Sequence, residues 1–215
     1  IVVLSFHAPD QLSPVLQLLA SGLQRWIRNQ CDSVEELNLA LQGSAIELLR
    51  GRLKGVSLEA RRVSFEQLPL LRAELQSGEL KTMFRPGQPN QPLQLKDPFS
   101  IEGEVVLSGT DLNKALATDR WRWLADLLAE QLMGLTPLRS LAIDNDRLVL
   151  TAEVITGKDP VQRSFFLCAD RGTIRVNHCD AEAELLLPMD PSIKIIDARL
   201  QGGQLVIKGN ATVHP

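Results

Sequence analysis

The sequence predicts an α+β domain in which amphipathic helices pack on antiparallel strands. Two observations carry this: apolar residues recur at helical spacing in some stretches and at every second position in most of the others. A third argues for antiparallel pairing, because the strand-like runs of the last third come in pairs around short turns of Asp, Asn, Arg and Gly.

Along the chain, Ser13-Pro14 reads as N-cap and first helical residue. Leu16, Leu19, Leu23 and Trp26 then share one face, with Arg25 and Arg28 near the negative end of the helix. Residues 34–42 alternate through Leu37, Leu39 and Leu41 and predict a strand, and 43–50 leaves room for one helical turn. Residues 51–65 alternate through Leu53, Val56, Leu58 and Ala60, and the step to Val63 shifts phase by one, as a bulge would. A further strand is predicted around Leu71, Ala73 and Leu75, closed by a Ser77-Gly78 turn. Residues 85–98 hold Pro86, Pro89, Pro92 and Pro98, which predicts a loop.

Residues 99–107 alternate again through Phe99, Ile101, Val105 and Leu107. Helix follows, capped by Ser108 or Thr110, with Asp111 at its positive end. Thr118 is predicted to cap a second segment in which Trp121, Leu124, Leu128 and Leu132 share a face, stopped by Gly134 and Pro137. Three hairpins complete the chain, turning at 144–146, 170–172 and 202–203. The expected organisation is one domain, 1–215, of two helix-plus-sheet halves, about 1–84 and 99–215, joined by the Pro-rich loop 85–98.

Composition narrows function more than it names it. Hydrophobic residues are 44% but aromatics only 4%, so the interior is built from Leu, Val, Ile and Ala, walls that suit an aliphatic neighbour. A net charge of -3 argues against a nucleic-acid binder, which carries a basic footprint. Cys31, Cys168 and Cys179 have no metal-site spacing and read as free thiols. His7, His178 and His214 are scattered; His178-Cys179-Asp180 on a strand would point to alternating faces and so cannot converge on one ion. Asp144-Asn145-Asp146 begins like a calcium loop but lacks the later oxygen ligands. No catalytic residue, metal or cofactor is therefore expected.

Two features point towards a lipid surface. Arg50, Arg52, Lys54, Arg61 and Arg62 form the densest run of charge, suited either to solvent or to anionic headgroups. Trp121 and Trp123 lie roughly 200° apart on a helix, so one of them, taken as Trp123, is free for an interface. No apolar run reaches the roughly 18 residues that span a bilayer, and no signal peptide is seen; the opening IVVLSF reads as the trimmed end of a longer chain.

Residues 51–82, 102–116, 144–154 and 193–213 together resemble the LmeA-like phospholipid-binding family, the 107–113 segment LSGTDLN and the Gly before the 51–65 strand most specifically. The resemblance is to a cyanobacterial-type member. It implies a fold similar to the tubular lipid-binding (TULIP) proteins: long amphipathic helices on a strongly curved antiparallel sheet that encloses an apolar cavity. It also implies a non-enzymatic role, binding and transfer of phospholipid or another long-chain lipid at a membrane, on the cytoplasmic face or in an exported compartment. On that reading Leu16, Leu19, Leu23, Trp26, Leu58, Ala60, Val105 and Leu107 line the cavity, and Arg50, Arg52, Lys54, Arg61, Arg62 and Trp123 meet headgroups. An acyl chain of about 16 carbons, at roughly 0.8 kcal/mol per CH₂, supplies on the order of 12 kcal/mol gross, more than the basic residues can add. The rival reading is a structural or protein-interaction domain with a fully packed core, since cavity and core residues are identical in sequence.

Overall fold

A computed structural model of the chain describes residues 14–84, 93–154, 159–179 and 183–214. In order they form α1 (Pro14–Gln30), β1 (Ser33–Gln42), α2 (Ala45–Leu49), β2 (Arg52–Leu53), β3 (Gly55–Phe65), β4 (Leu68–Ser77), β5 (Leu80–Phe84) and β6 (Leu93–Leu95). There follow β7 (Phe99–Ser108), α3 (Gly109–Leu116), and α4 (Arg122–Leu128), which continues as a π-helical turn (Ala129–Met133). The remainder is strand: β8 (Leu138–Asp144), β9 (Arg147–Ala152), β10 (Val161–Asp170), β11 (Thr173–His178), β12 (Glu184–Leu186), β13 (Ile193–Gln201) and β14 (Gln204–Val213).

The strands make three antiparallel sheets, ordered β1-β3-β4-β7-β14-β13, β12-β11-β10-β9-β8 and β2-β5-β6. The first sheet draws its two central neighbours from far apart in the chain: β7 lies between β4 and β14. The fold is thus α+β and antiparallel, as the periodicities predict.

Its finer form departs from the expectation. Only α1, at 17 residues, is long; α2, α3 and α4 have 5, 8 and 7. Thr118 does not cap a helix. Its hydroxyl donates back to the carbonyl of Ala115 at 2.7 Å, so the chain turns there and α4 starts only at Arg122. The sheets are not strongly curled, and no enclosed apolar cavity is seen among the described residues. The physical reason lies in the registers: bulges bend strands, and the register shifts lie at Ile195/Asp197 in the edge strand β13 and at Leu138/Ser140 in the edge strand β8.

The phase shift predicted near Val63 is real but is not an inserted residue. Arg62 takes φ 46°, its pairing lapses, and the register resumes unchanged on both sides. Buried positions accordingly step by three in neighbouring strands, Ala60 to Val63 in β3 and Leu37 to the partly buried Val34 in β1. Residues 51–65 also divide, with Arg52 and Leu53 pairing β5 while Lys54 crosses over and donates its N–H to Gln42. Part of the Pro-rich loop is strand β6; 85–92 and the predicted Ser13 cap lie outside the described residues.

Turn chemistry follows the residues. Asn145-Asp146, Arg171-Gly172 and Gly202-Gly203 each close a two-residue hairpin with both φ positive, the geometry that matches strand twist. Glu66-Gln67 does the same between β3 and β4 without any glycine. Ser44 caps α2 in a capping box with Glu47, and Ser108 caps α3, its Oγ accepting from the N–H of Asp111 at 3.0 Å.

Candidate functional site

The six-stranded sheet has two unlike faces. One is charged: Glu36, Glu59, Arg61, Arg72, Glu74, Glu104, Lys208 and Arg199 follow one another across the registers. Glu104 is the hub, 2.7 Å from Arg72, 3.2 Å from Lys208 and 3.9 Å from Arg199. The other face is apolar from edge to edge. It runs through Leu39 and Leu41, Val56, Leu58 and Ala60, Ala73 and Leu75, Ile101, Val105 and Leu107, Leu205, Ile207, Ala211 and Val213, and Ile193, Ile195, Ala198 and Leu200.

That apolar face is covered unevenly. At its β1 edge, Leu16 and Leu19 of α1 are buried with Leu41, Leu48, Leu53 and Leu80, with Leu23, Leu39, Val56 and Phe99 packed around them. At the other end, Leu107, Leu200 and Leu205 enter a large cluster with Leu116, Leu128, Leu132, Leu150 and Phe165, supplied by α3, α4 and the five-stranded sheet. A small group, Leu37, Ala60, Val63 and Ala73, lies between, touched by Ile27, Leu58 and Val105.

Leu75, Ile101, Ala211, Val213 and Ile193 share the same face, are not buried, and belong to none of these three clusters among the described residues. Between them Gly103 of β7 pairs with Gly209 of β14, so no side chain rises from either position. A Cβ on Gly103 would run into the carbonyl oxygen of Glu74 and the side chain of Leu75, which requires glycine there. The result is a low strip of backbone, Leu and Ile, partly exposed and outside the three closed clusters among the described residues, with a surface suited to hydrocarbon.

The predicted cavity residues are not brought together around one space. Leu16, Leu19 and Leu23 belong to the α1 cluster, Leu58 and Ala60 to the middle group, Leu107 to the large cluster, and Val105 touches both of the last two. Trp26 stands 46% exposed on α1. An open cleft of about 550 Å³ does exist at the β3 kink, lined among others by Val34, Arg62, Val63, Leu70 and Asp111, but of the fourteen predicted residues only Arg62 lines it.

The predicted headgroup residues separate likewise. Arg61 pairs with Glu59 at 3.2 Å and Glu36 at 3.9 Å, and Arg62 pairs with Glu35 at 3.5 Å, so both are answered by carboxylates. Trp123 is 50% exposed beside Trp121, whose Nε1 donates to the Glu66 carbonyl at 2.9 Å. It therefore sits at the Phe65 end of β3, whereas Arg50, Arg52 and Lys54 sit at the Gly55 end, roughly 30 Å away at the usual strand rise. Lys54 is 3.2 Å from Glu47, whose carboxyl is held below its ordinary range, first by the backbone N–H of Ser44 and then by Lys54.

Among the described residues no group of His, Cys, Asp and Glu could hold a metal ion. His178 meets Phe165 edge-on at 5.1 Å, and the Cys31 thiol is pushed up by burial and by the neighbouring Asp32. No helix among them is long and apolar enough to cross a membrane.

The family model for LmeA-like phospholipid-binding proteins matches residues 11–210, from before α1 to the last turns of β14. The chain belongs to the LmeA-like phospholipid-binding family. No curated protein and no solved structure matches it. Within this LmeA-like chain the matched span includes the α1 edge and, of the strip, Leu75, Ile101 and Ile193, while Ala211 and Val213 lie just beyond it. In sequence Leu75, Ile101 and Ala211 alternate as their neighbours in the closed clusters do, so nothing there singles them out; only the fold separates them.

Proposed function

We propose that this protein binds phospholipid non-enzymatically, with acyl chains lying along the partly exposed apolar strip of the six-stranded sheet. The observation that carries this is the strip itself: a mainly aliphatic surface in a member of a phospholipid-binding family, with Gly103, Gly209 and Ser77 among its Leu, Ile, Val and Ala. A surface strip contacts about half of a chain's circumference, so the hydrocarbon contributes about half of what full burial would, on the order of 6 kcal/mol gross for 16 carbons. That is binding weak enough to reverse, which fits a carrier that exchanges lipid with a membrane.

The test is organic extraction of gently purified protein, before and after incubation with phospholipid vesicles, with mass spectrometry and the molar ratio of lipid to protein. Stoichiometric phospholipid that is lost in Ile101→Asp and Ala211→Asp, with an unchanged circular dichroism spectrum, is the expected result. A clean extract under both conditions would overturn the reading. The fully packed cluster around Phe165 would then favour the second one, a protein-interaction domain.

A further inference from the structure

The small sheet β2-β5-β6 carries an arrangement that stability alone does not favour. Arg52 pairs directly with Lys81 across β2 and β5. The register of β5 with β6 pairs Thr82 with Leu95, and the N–H of Lys96 reaches the carbonyl of Lys81 at 3.1 Å, so Lys96 is the next partner in line. Three cations thus stand in a cross-strand row, where like charges directly opposite are destabilising. Asp97 answers Lys81 at 2.7 Å and raises the Lys81 ammonium above its ordinary range, mainly through that hydrogen bond. No side-chain hydrogen bond or ion pair is found for Arg52, Lys96 or the neighbouring Arg50 among the described residues.

Beside this row the surface is aliphatic. Leu49 is 71% exposed and Ile46 is 63% exposed, three residues apart on the outer side of α2, whose Leu48 points inward with Leu53 and Leu80. Leu18, 78% exposed, leaves α1 within the same turns whose Leu16 and Leu19 meet Leu48. The aliphatic side chains and the cations are turned away from one and the same buried cluster. Elsewhere Arg61, Arg62, Arg72 and Arg199 have carboxylate partners, and the aliphatic strip of the large sheet has no such row of cations beside it.

We infer that this end of the molecule, α2 with the outer face of β2-β5-β6, docks on an anionic lipid bilayer: Ile46 and Leu49 enter the headgroup boundary while Arg50, Arg52 and Lys96 meet phosphates. Charge complementarity selects that occupant, because unanswered cations next to exposed aliphatics match a surface that is anionic outside and hydrocarbon beneath. The inference concerns where the protein meets a membrane and rests on the lipid-binding reading only for the reason to go there.

Flotation with vesicles of phosphatidylcholine, with and without phosphatidylglycerol, tests it on the full chain. Binding should require phosphatidylglycerol and weaken with added salt. At about 1 kcal/mol per basic residue, Arg52→Gln with Lys96→Gln should weaken it roughly 30-fold. Ile46→Ser with Leu49→Ser should weaken it as well, whereas Arg61→Gln with Arg62→Gln should leave it unchanged; all six positions are exposed, so folding is preserved. Equal binding to both vesicles, tip variants that bind like wild type, or an equal loss in the Arg61 and Arg62 pair would overturn it. Lipid content after loading from detergent micelles separates the two readings. Anionic docking without lipid uptake defeats the strip and keeps the tip, and uptake without anionic docking does the reverse.

Discussion

The cluster around Phe165 and the strip around Ile101 use the same aliphatic alphabet and differ in what lies over them. Phe165, Leu150 and Ala152, on the five-stranded sheet, are completely buried because α3, α4 and the end of the large sheet that holds Leu107, Leu205 and Leu200 close on them. Leu75, Ile101 and Ala211 lie on the same face of the large sheet as Leu107 and Leu205, a few positions along the strands, and none of those elements is packed on them. Coverage rather than composition therefore separates the region that holds the fold together from the one proposed to take a ligand.

The sharpest way to break that comparison is to truncate both regions. Phe165→Ala should lose about 3–5 kcal/mol, the usual cost of an aromatic removed from a closed core. Ile101→Ala, at a partly exposed position outside the closed clusters, should lose less, about 1–2 kcal/mol. Urea unfolding of the two variants measures both. Similar losses would mean that the strip is covered in the folded protein and is no ligand surface.

How much of this was legible depends on range. Local signals were read correctly: the alternation of 99–107, the Asn145-Asp146 and Gly202-Gly203 turns, and Ser108 as a cap all follow from a few neighbouring residues. Glu66-Gln67 was not legible as a turn, since neither residue favours positive φ. Nor was Thr118, which has the chemistry of a cap but spends its hydroxyl on Ala115. Non-local facts were out of reach: nothing within 99–107 says that β4 will lie on one side of it and β14 on the other. The site suffered most from this. Leu58 and Val105 share a face with Leu75 and Ile101 and are not separable from them in sequence, because alternation marks a face and not its cover.

A smaller effect sharpens the comparison at the point where β7 leaves the open face for the packed region. Ser108 holds the first turn of α3 by accepting from Asp111 N–H and donating to the Asp111 carboxylate at 2.7 Å. Ser108→Ala should cost about 1 kcal/mol. Because α3 packs into the closed cluster through Leu116 and not onto the strip, phospholipid content should stay at the wild-type level in that variant. Lipid lost together with stability would show that the two regions are coupled through α3.

The smallest expected effect distinguishes the regions by acid. In the closed region Arg175 donates to Asp170 through Nε at 3.1 Å and through Nη2, and this hydrogen bond, ahead of the charges of Arg175 and Arg171, holds the Asp170 carboxyl below its ordinary range. A carboxylate whose folded pKa is depressed binds protons more readily when unfolded. Its stabilisation is therefore complete above the unfolded value of about 3.9 and is lost as pH falls through the lower, folded value. Arg175→Gln removes the partner, so stability in that variant should depend less on pH across this acid window while matching wild type in slope near neutrality. Urea unfolding at stepped pH measures the difference between the two curves. Parallel curves would show that Asp170 gains nothing from Arg175, and that acid acts on this fold through other carboxylates such as Glu47 at the α2 end, whose range is lowered by Ser44 and Lys54.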